Sequence, residues 1–297
     1  MSFQSLLAVA QRLNASVETL AAIAAELQLR QSGMPADPRV RARLRDVIGN
    51  IEPGLLDGLS GDQPAIVLAS INAFFRQALD LIDDPGRPPG WSFKDPVILQ
   101  SYGQMSRGVV HAIDELAPRL PEFNDTLRRP GTLLDVGTGV GWLAIEAART
   151  WPALRVVGID PWEPSLDLAR QNLENTGMAS RIELREQRLE DVSDRDAFTL
   201  AWLAAPFLPP EVVATALTTI RRALKPGGWL VFGLFASPPD SLGQALTALK
   251  VVRSGGHPWS NEDVESKMRD AGFEEIKSFT PPHLARFTVG KRPRHDR

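Results

Sequence analysis

Two carboxylates and three glycines stand where a ligand could be held. Asp135 lies in a short apolar run with Leu133, Leu134 and Val136, and Gly137, Gly139 and Gly141 follow at once, alternating with Thr138 and Val140. Asp160 closes a second run, Arg155-Val156-Val157-Gly158-Ile159, about 20 residues beyond the glycines. Alternating glycines let the backbone turn tightly and leave main-chain N–H groups open to a ligand, because no Cβ stands in the way. A carboxylate just before such a turn repels a pyrophosphate and suits a cationic group, such as the ammonium of an amino acid. An acid at the second position is placed to take a pair of ribose hydroxyls.

Those residues need a scaffold, and the surrounding pattern supplies one. Leu133 to Val136 reads as a strand covered on both faces, and Trp142 to Arg149 as a helix whose first N–H groups point over the turn. Thr132 to Ala148 is therefore strand, glycine turn and helix in succession. The second strand is followed by a proline-opened helix from Pro161 to Asn172, with Leu166, Leu168 and Leu173 spaced for packing on a sheet. The dinucleotide fingerprint GxGxxG occupies the same place in other folds and also predicts the acid at Asp160. The spacing here is GxGxG, and the inner acid Asp135 separates the two readings.

On these residues the chain resembles the class I S-adenosylmethionine-dependent methyltransferases, whose first motif runs hhDhGxGxG and whose second strand ends in an acid. The resemblance extends from Thr132 towards the C-terminus. It takes in the turn Lys225-Pro226-Gly227-Gly228 between a helix and the fifth strand, and a closing hairpin over 275–280 and 285–291. It implies an α/β fold, a Rossmann-like seven-stranded, mostly parallel sheet with a C-terminal antiparallel hairpin, to which the front of the chain adds an all-α N-terminal domain. It also implies S-adenosyl-L-methionine as cofactor. Asp135, Gly137, Thr138, Gly139 and Gly141 would hold its methionine part and Asp160 its ribose. Trp162 would lie near the adenine, with Pro161, Gln187, Arg188, Leu189 and Ala204 completing the site.

Two positions depart from the family pattern. Arg188 stands where relatives often carry an aspartate that accepts from the adenine amino group, and a guanidinium only donates. Glu190, Asp191 or the backbone of Leu189 would have to take its place. Thr199 stands where many relatives begin the fourth strand with an aspartate. That strand, 197–203, runs into Ala204-Ala205-Pro206-Phe207 instead of the Asn or Asp before proline of enzymes that methylate amides and bases. An apolar, proline-bounded edge suits a flat or hydrophobic small molecule and argues against a nucleic-acid base.

Methyl transfer from a sulfonium requires an in-line acceptor, exclusion of water and, for a hydroxyl acceptor, a base near its proton. His257 is the first candidate base and His111 the second, each weighed against an ordinary surface histidine; His283 is a third in a structured position, and His295 lies in the tail. Candidate substrate contacts are Tyr102, the sole tyrosine, and Ser106, with Gln104 beside them, on the segment that in the family closes over the cofactor. Pro206, Phe207 and Trp259 are added by their place after the fourth strand and in the Gly255-to-Trp259 loop. The expected activity is methyl transfer to a small, largely apolar or aromatic molecule, on oxygen. The alternative, motivated by Arg188 and Thr199, is a protein that keeps the fold and binds the cofactor without transferring methyl.

The front of the chain reads as helices. Leu6, Leu7, Ala10 and Leu13 mark one, Ser16 caps a second over Val17 to Leu29, and Asp37-Pro38 opens a third. Arg39, Arg41, Arg43 and Arg45 lie on this last helix as an anion site or a solvated face. The stretch 64–82 is apolar on more than one side and reads as too short and too polar to span a membrane, so a buried helix or one shared with a second subunit is expected. The loop 83–90 marks a boundary. The division is 1–90, a helical dimerisation or lid domain; 91–130, a connector of two helices with a break near Gly103 that closes over the site; and 131–291, the cofactor-binding domain. An insert from Ser237 to Trp259 should pass over the strand ends, and the tail 291–297 should fray.

Composition bounds the partners. With 297 residues, 43% of them hydrophobic, the chain has material for two domains. A net charge of -3 shows no basic excess and disfavours nucleic acid. The absence of cysteine excludes disulfides, thiolate metal sites and cysteine nucleophiles. The N-terminus has no basic region before its apolar residues, so a cytoplasmic enzyme is the expectation. The apolar stretch 64–82 with the front helices makes a homodimer the expected form, acting on a small molecule without metal, membrane or nucleic acid.

Overall fold

The computed structural model describes residues 2–236, 238–281 and 285–295. The chain divides into two units, Met1–Pro85 and Gly86–Arg297.

The first unit is helical. Its opening helix, α1 (Phe3–Ser32), is continuous and not two short helices. Residues 3–32 contain no glycine or proline, and the polar stretch expected to break them bonds within the helix. Asn14 donates to Glu18 at 2.8 Å and Thr19 to the Ala15 carbonyl at 2.7 Å. The helix begins at the Ser2 cap and stops at Gly33, which takes the left-handed conformation (φ 64). Asp37 caps α2 (Pro38–Gly49) through the Arg39 N–H at 2.8 Å. Of the four arginines on this helix, Arg39, Arg43 and Arg45 are exposed, as a solvated face requires, and Arg41 is partly covered. Arg30, Arg41 and Arg45 converge on the buried Glu26 carboxylate at 3.1, 3.6 and 3.8 Å.

The third helix, α3 (Gln63–Asp83), corrects the sequence reading in two ways. By length and composition alone it is long and apolar enough to cross a membrane, with a mean hydropathy of 1.4 over its apolar window. Nor is it a buried helix: Phe74, Leu79 and Ile82 are 43%, 52% and 73% exposed. The core of this unit gathers Leu27, Ile48 and Leu56 with Ile23, Leu59 and Val67 around them.

The second unit is a seven-stranded sheet with helices on both faces. Its strands are β1 (Gly131–Val136), β2 (Leu154–Asp160), β3 (Ile182–Glu186), β4 (Phe198–Ala204), β5 (Leu224–Phe235), β6 (Glu274–Phe279) and β7 (Ala285–Lys291), in the order β3-β2-β1-β4-β5-β7-β6. The first five are parallel; β7 runs antiparallel to β5, and β6 to β7. Alternate residues divide between two cores. Leu133, Val156, Leu200 and Trp229 face one with Val110, Phe123 and Leu143. Leu134, Val157, Ala201 and Leu230 face the other with Val213, Leu217 and Met268. Strand order reverses between β1 and β4, the place where open α/β sheets bind ligands at the carboxyl ends of their strands.

The connector is α4 (Pro96–Leu116), then a 3-10 turn and α5 (Pro121–Arg128). The helix α4 runs unbroken through Gly103, against expectation. A Cβ at Gly103 would strike Val140 and Trp142, so this glycine serves close packing on the glycine turn and not a break. The remaining helices are α6 (Trp142–Thr150), α7 (Glu163–Thr176), α8 (Val213–Ala223), α9 (Ser241–Arg253) and α10 (Asn261–Asp270). The insert is thus mostly helix α9, capped by Asp240 through the Gly243 N–H at 2.8 Å. Lys225 to Gly228 is drawn into β5 as a ladder irregularity between the pairs Phe198–Leu224 and Leu200–Trp229. The chain end is tied down as far as Arg294. Lys291 bonds Glu122 at 2.8 Å and Glu275 at 2.7 Å, and Arg294 bonds Glu122 at 3.2 Å.

Candidate functional site

The glycine turn leaves β1 and enters α6, and its three glycines all have positive φ: 74 at Gly137, 56 at Gly139 and 79 at Gly141. Their surroundings separate their roles. A Cβ at Gly141 would press on Ala169 and Leu173 of α7, whereas one at Gly137 would meet nothing within 4 Å and one at Gly139 only the edge of the Gly137 carbonyl. Gly141 serves packing; Gly137 and Gly139 border open space that a ligand can enter. Behind the turn, Gln100 accepts from the Trp142 indole at 2.7 Å, and Asn172 donates to the Val140 carbonyl at 2.9 Å and to Gln100 at 3.2 Å. Sequence reading missed Gln100 and Asn172, because their partners lie on other elements.

The two acids close the turn from below. Gly137 and Thr138 donate their N–H groups to the Ile159 carbonyl at 2.9 and 3.0 Å, and Gly139 donates to Asp160 Oδ2 at 2.9 Å. Asp160 Oδ1 accepts from the Trp162 N–H at 2.8 Å. Both oxygens keep a lone pair for a ligand hydroxyl. Burial pushes the Asp160 carboxyl above its ordinary range, and those two N–H bonds oppose the shift. Asp135 is wholly buried, with one oxygen accepting from the Thr138 hydroxyl at 2.7 Å and the other, Oδ1, without a partner among the described residues. Burial pushes its carboxyl up to about 7, opposed by the Thr138 bond and helped by the charge on Asp160. An orphaned carboxylate oxygen under a glycine turn is the complement of a cationic ligand group.

Beyond Asp160, Trp162 caps α7 and its indole donates to the Phe93 carbonyl at 3.1 Å, which fixes the ring against the start of the connector. The Gln187 N–H donates to the Asp160 carbonyl at 3.2 Å. Leu189 is buried and Arg188 exposed, so the apolar wall here is Leu189 and not the arginine. Thr199 belongs elsewhere. It lies at the start of β4, where its hydroxyl accepts from the Thr132 N–H at 3.2 Å and donates to the Thr132 carbonyl at 3.3 Å, filling the room left by Gly131. An aspartate could not make the second bond when ionised, which accounts for the departure without involving the site.

An aromatic cluster sits at the carboxyl ends of β4 and β5. Phe207, in a 3-10 turn with Ala205 and Pro206, meets Trp91 at 4.9 Å, Tyr102 at 5.9 Å and Phe235 at 5.6 Å, all edge to face. Trp91 also meets Tyr102 at 4.8 Å and Phe93 at 5.1 Å. The structure thus brings Tyr102 and Phe207 together and adds Trp91, Phe93 and Phe235, whose place in the cluster depends on the fold. Pro206 is overlaid by the insert, since a Cβ at Gly256 would strike its carbonyl. Gly90 donates to the Arg253 carbonyl at 3.1 Å, which holds the end of α9 to the same place.

The remaining candidates scatter. His257 lies against Trp259 at 4.2 Å with the rings tilted by 49°, and both line a cavity of about 330 Å³ that also takes in Phe235. His111 is exposed and faces Glu146 at 3.3 Å, on an acid already paired with Arg107 at 2.9 Å. Nine helical steps separate it from Tyr102, about 13 Å along the axis, so it is not part of the aromatic cluster. The Ser106 hydroxyl donates to the Gly103 carbonyl within its own helix at 2.6 Å. His283 lies outside the described residues.

Residues 133–228 match a family model described as a methyltransferase domain. The chain carries a methyltransferase domain. Its sequence is 32% identical over 168 residues to the ribosomal protein L11 methyltransferase of Sorangium cellulosum, covering 54% of this chain and 51% of that protein. The chain spans about half the length of the curated relatives it matches. In solved structures the fold extends over the whole chain. An O-methyltransferase family protein from Burkholderia thailandensis has a TM-score of 0.65 at 17% identity, covering 100% of this chain and 99% of that one. Human N-acetylserotonin methyltransferase, solved in complex with SAM, has a TM-score of 0.65 at 15% identity, covering 98% and 99%. At these identities the likeness shows the fold, which joins the methyltransferase domain to the helices before it.

Proposed function

We propose that the chain is an S-adenosylmethionine-dependent methyltransferase whose acceptor is a hydroxyl on a small, largely apolar or aromatic molecule. The observation that carries the reading is the open glycine turn between two buried acids, Asp135 with its orphaned oxygen and Asp160 at the end of β2. A donor with an ammonium at one end and a ribose at the other fits that order of groups. Gly137, Gly139 and Asp135 would hold the amino-acid end, Asp160 the ribose, and Trp162 and Leu189 the adenine. When bound, the cofactor supplies an electrophilic methyl group.

The protein's part is to orient the acceptor, exclude water and take a proton. The aromatic cluster of Trp91, Tyr102, Phe207 and Phe235 gives a flat acceptor an apolar floor beside the strand ends. His257, exposed at the mouth of the adjoining cavity, is the candidate base; His111, held by Glu146, is not. Calorimetric titration with S-adenosylhomocysteine, followed by a search for that product with a panel of phenols, tests the reading. No binding at millimolar concentration would overturn it; binding without turnover across the panel would favour a fold that has kept its cofactor and lost transfer.

The apolar residues exposed on α3, with Phe3 and Leu6 of α1, support a homodimer through the first unit. A mass measurement in solution that finds a monomer at micromolar concentration would sink that part. A cytoplasmic location is part of the same proposal, and recovery of the protein in a membrane fraction would count against it, α3 being the segment responsible.

A further inference from the structure

The cavity beyond Phe235 has apolar walls and a surplus of hydrogen-bond donors. Phe235, Trp259 and Val251 form the walls, and Arg286, from the start of β7, reaches it from the side. The half-buried guanidinium donates to the carbonyls of Phe235 at 3.3 Å and Trp259 at 3.0 Å and to the amide oxygen of Asn261 at 3.1 Å. These are neutral acceptors, and they take three of its five N–H groups. No carboxylate among the described residues forms an ion pair with it; Glu262 reaches it only through its field. Burial accordingly holds Arg286 below its ordinary value, the mark of a cation taken from water without an anion in exchange.

Other groups point the same way. The indole N–H of Trp259 is buried with no acceptor among the described residues. Lys267 lies over the Trp259 ring at 4.4 Å and Lys250 over the Phe235 ring at 5.9 Å, so a cation stands on each aromatic wall. Half-burying a cation against neutral partners alone carries a desolvation cost that a group of opposite charge would offset. Arg286 is the cation that lines the cavity among the described residues, the walls are aromatic, and Phe235 is shared with the cluster that holds Phe207.

We propose that this cavity binds the carboxylate of an aromatic or arylalkyl acid, with Arg286 as its anchor and the apolar body of the acid lying along Phe235 towards Phe207. The substrate class of the methyltransferase domain is then a hydroxylated aromatic acid. This last step rests on the methyl-transfer reading; the anion site itself does not.

The test is calorimetry on the full-length protein with 4-hydroxyphenylacetate and its neutral amide as probes, alone and with S-adenosylhomocysteine present. The acid should bind about tenfold more tightly than the amide, the size of one charge-assisted contact. The preference should vanish in Arg286→Gln and survive in part in Arg286→Lys. Arg286 also ties β5 to residues 259 and 261, so the variants are checked by circular dichroism and by their affinity for S-adenosylhomocysteine. In the wild type, which needs no such check, raising salt to roughly 0.5 M should weaken the acid and leave the amide unchanged. Equal affinities, no binding of either probe, or a folded Arg286→Gln that still prefers the acid would overturn the proposal. Preference for the acid in a protein that ignores S-adenosylhomocysteine would leave the anion site standing and remove the methyltransferase reading.

Discussion

Asp160 and Gly139 are joined across the glycine turn by a hydrogen bond of 2.9 Å, from the glycine N–H to Oδ2, while Oδ1 caps Trp162 at 2.8 Å. One carboxylate therefore sets both the turn and the start of α7. Replacing Asp160 by Ala removes two charge-assisted bonds from a nearly buried place and should destabilise the domain by about 2–4 kcal/mol. It should also weaken S-adenosylhomocysteine at least tenfold. Urea denaturation and calorimetry read the two effects separately. Unchanged affinity in a folded variant would remove Asp160 from the site.

Asp135 yields a pH dependence whose sign is fixed by its burial. Its carboxyl is raised from 3.8 to about 7 in the folded protein, so between those values the folded state binds a proton that the unfolded state has released. Stability from this group is greatest below about pH 4 and falls as pH rises towards 7, by roughly 4 kcal/mol at the upper bound. Asp135→Asn should flatten the slope, read by urea titrations of both proteins at several pH values without ligand. If the carboxylate takes the ligand's ammonium, cofactor affinity should rise from pH 6 to 8 in the wild type and stay flat in the variant.

The aromatic cluster should act on the acceptor and not on the donor. Phe207→Ala opens a gap among Trp91, Tyr102 and Phe235 and should raise the acceptor KM about tenfold or more, leaving S-adenosylhomocysteine affinity within about twofold. A variant that loses both in parallel would show the cluster to be structural.

Thr199→Val should cost about 1–2 kcal/mol, because two backbone groups of Thr132 lose their partner where β1 and β4 begin. Cofactor affinity should not move. A loss of affinity would reinstate Thr199 as part of the site and with it the reading of a fold without transfer.

Residues whose demand is local were legible in the sequence. Gly137, Gly139 and Asp160 announce themselves because positive φ, an open approach and an acid at the end of a strand each require particular residue types close together. The closing hairpin and the order of strands and helices follow from patterns of the same short range. What could not be read depends on contacts between distant segments. Gly103 looks like a helix break until Val140 and Trp142 are packed against it. Thr199 looks like a lost acid until its bonds to Thr132, 67 residues away, are seen. Arg286 carried no motif at all; it matters because β7 lies beside β5 and brings it to Phe235. At the N-terminus, Ser16 resembles a cap, yet side-chain bonds one turn apart are enough to carry α1 through it.

The thin core of the first unit has a consequence for how the molecule loses structure. The large apolar side chains buried there are Leu27, Ile48, Leu56 and Ile71, few for so many helical residues, whereas the sheet unit buries whole rows on both faces. In the proposed homodimer, the partner's cover over the exposed side of α3 supplies a share of that unit's stability, and mass action governs the share. On heating, the helical part should melt at a temperature that climbs with protein concentration, and the sheet should melt at one that does not. Dilution alone would act on the front of this chain as a mild denaturant.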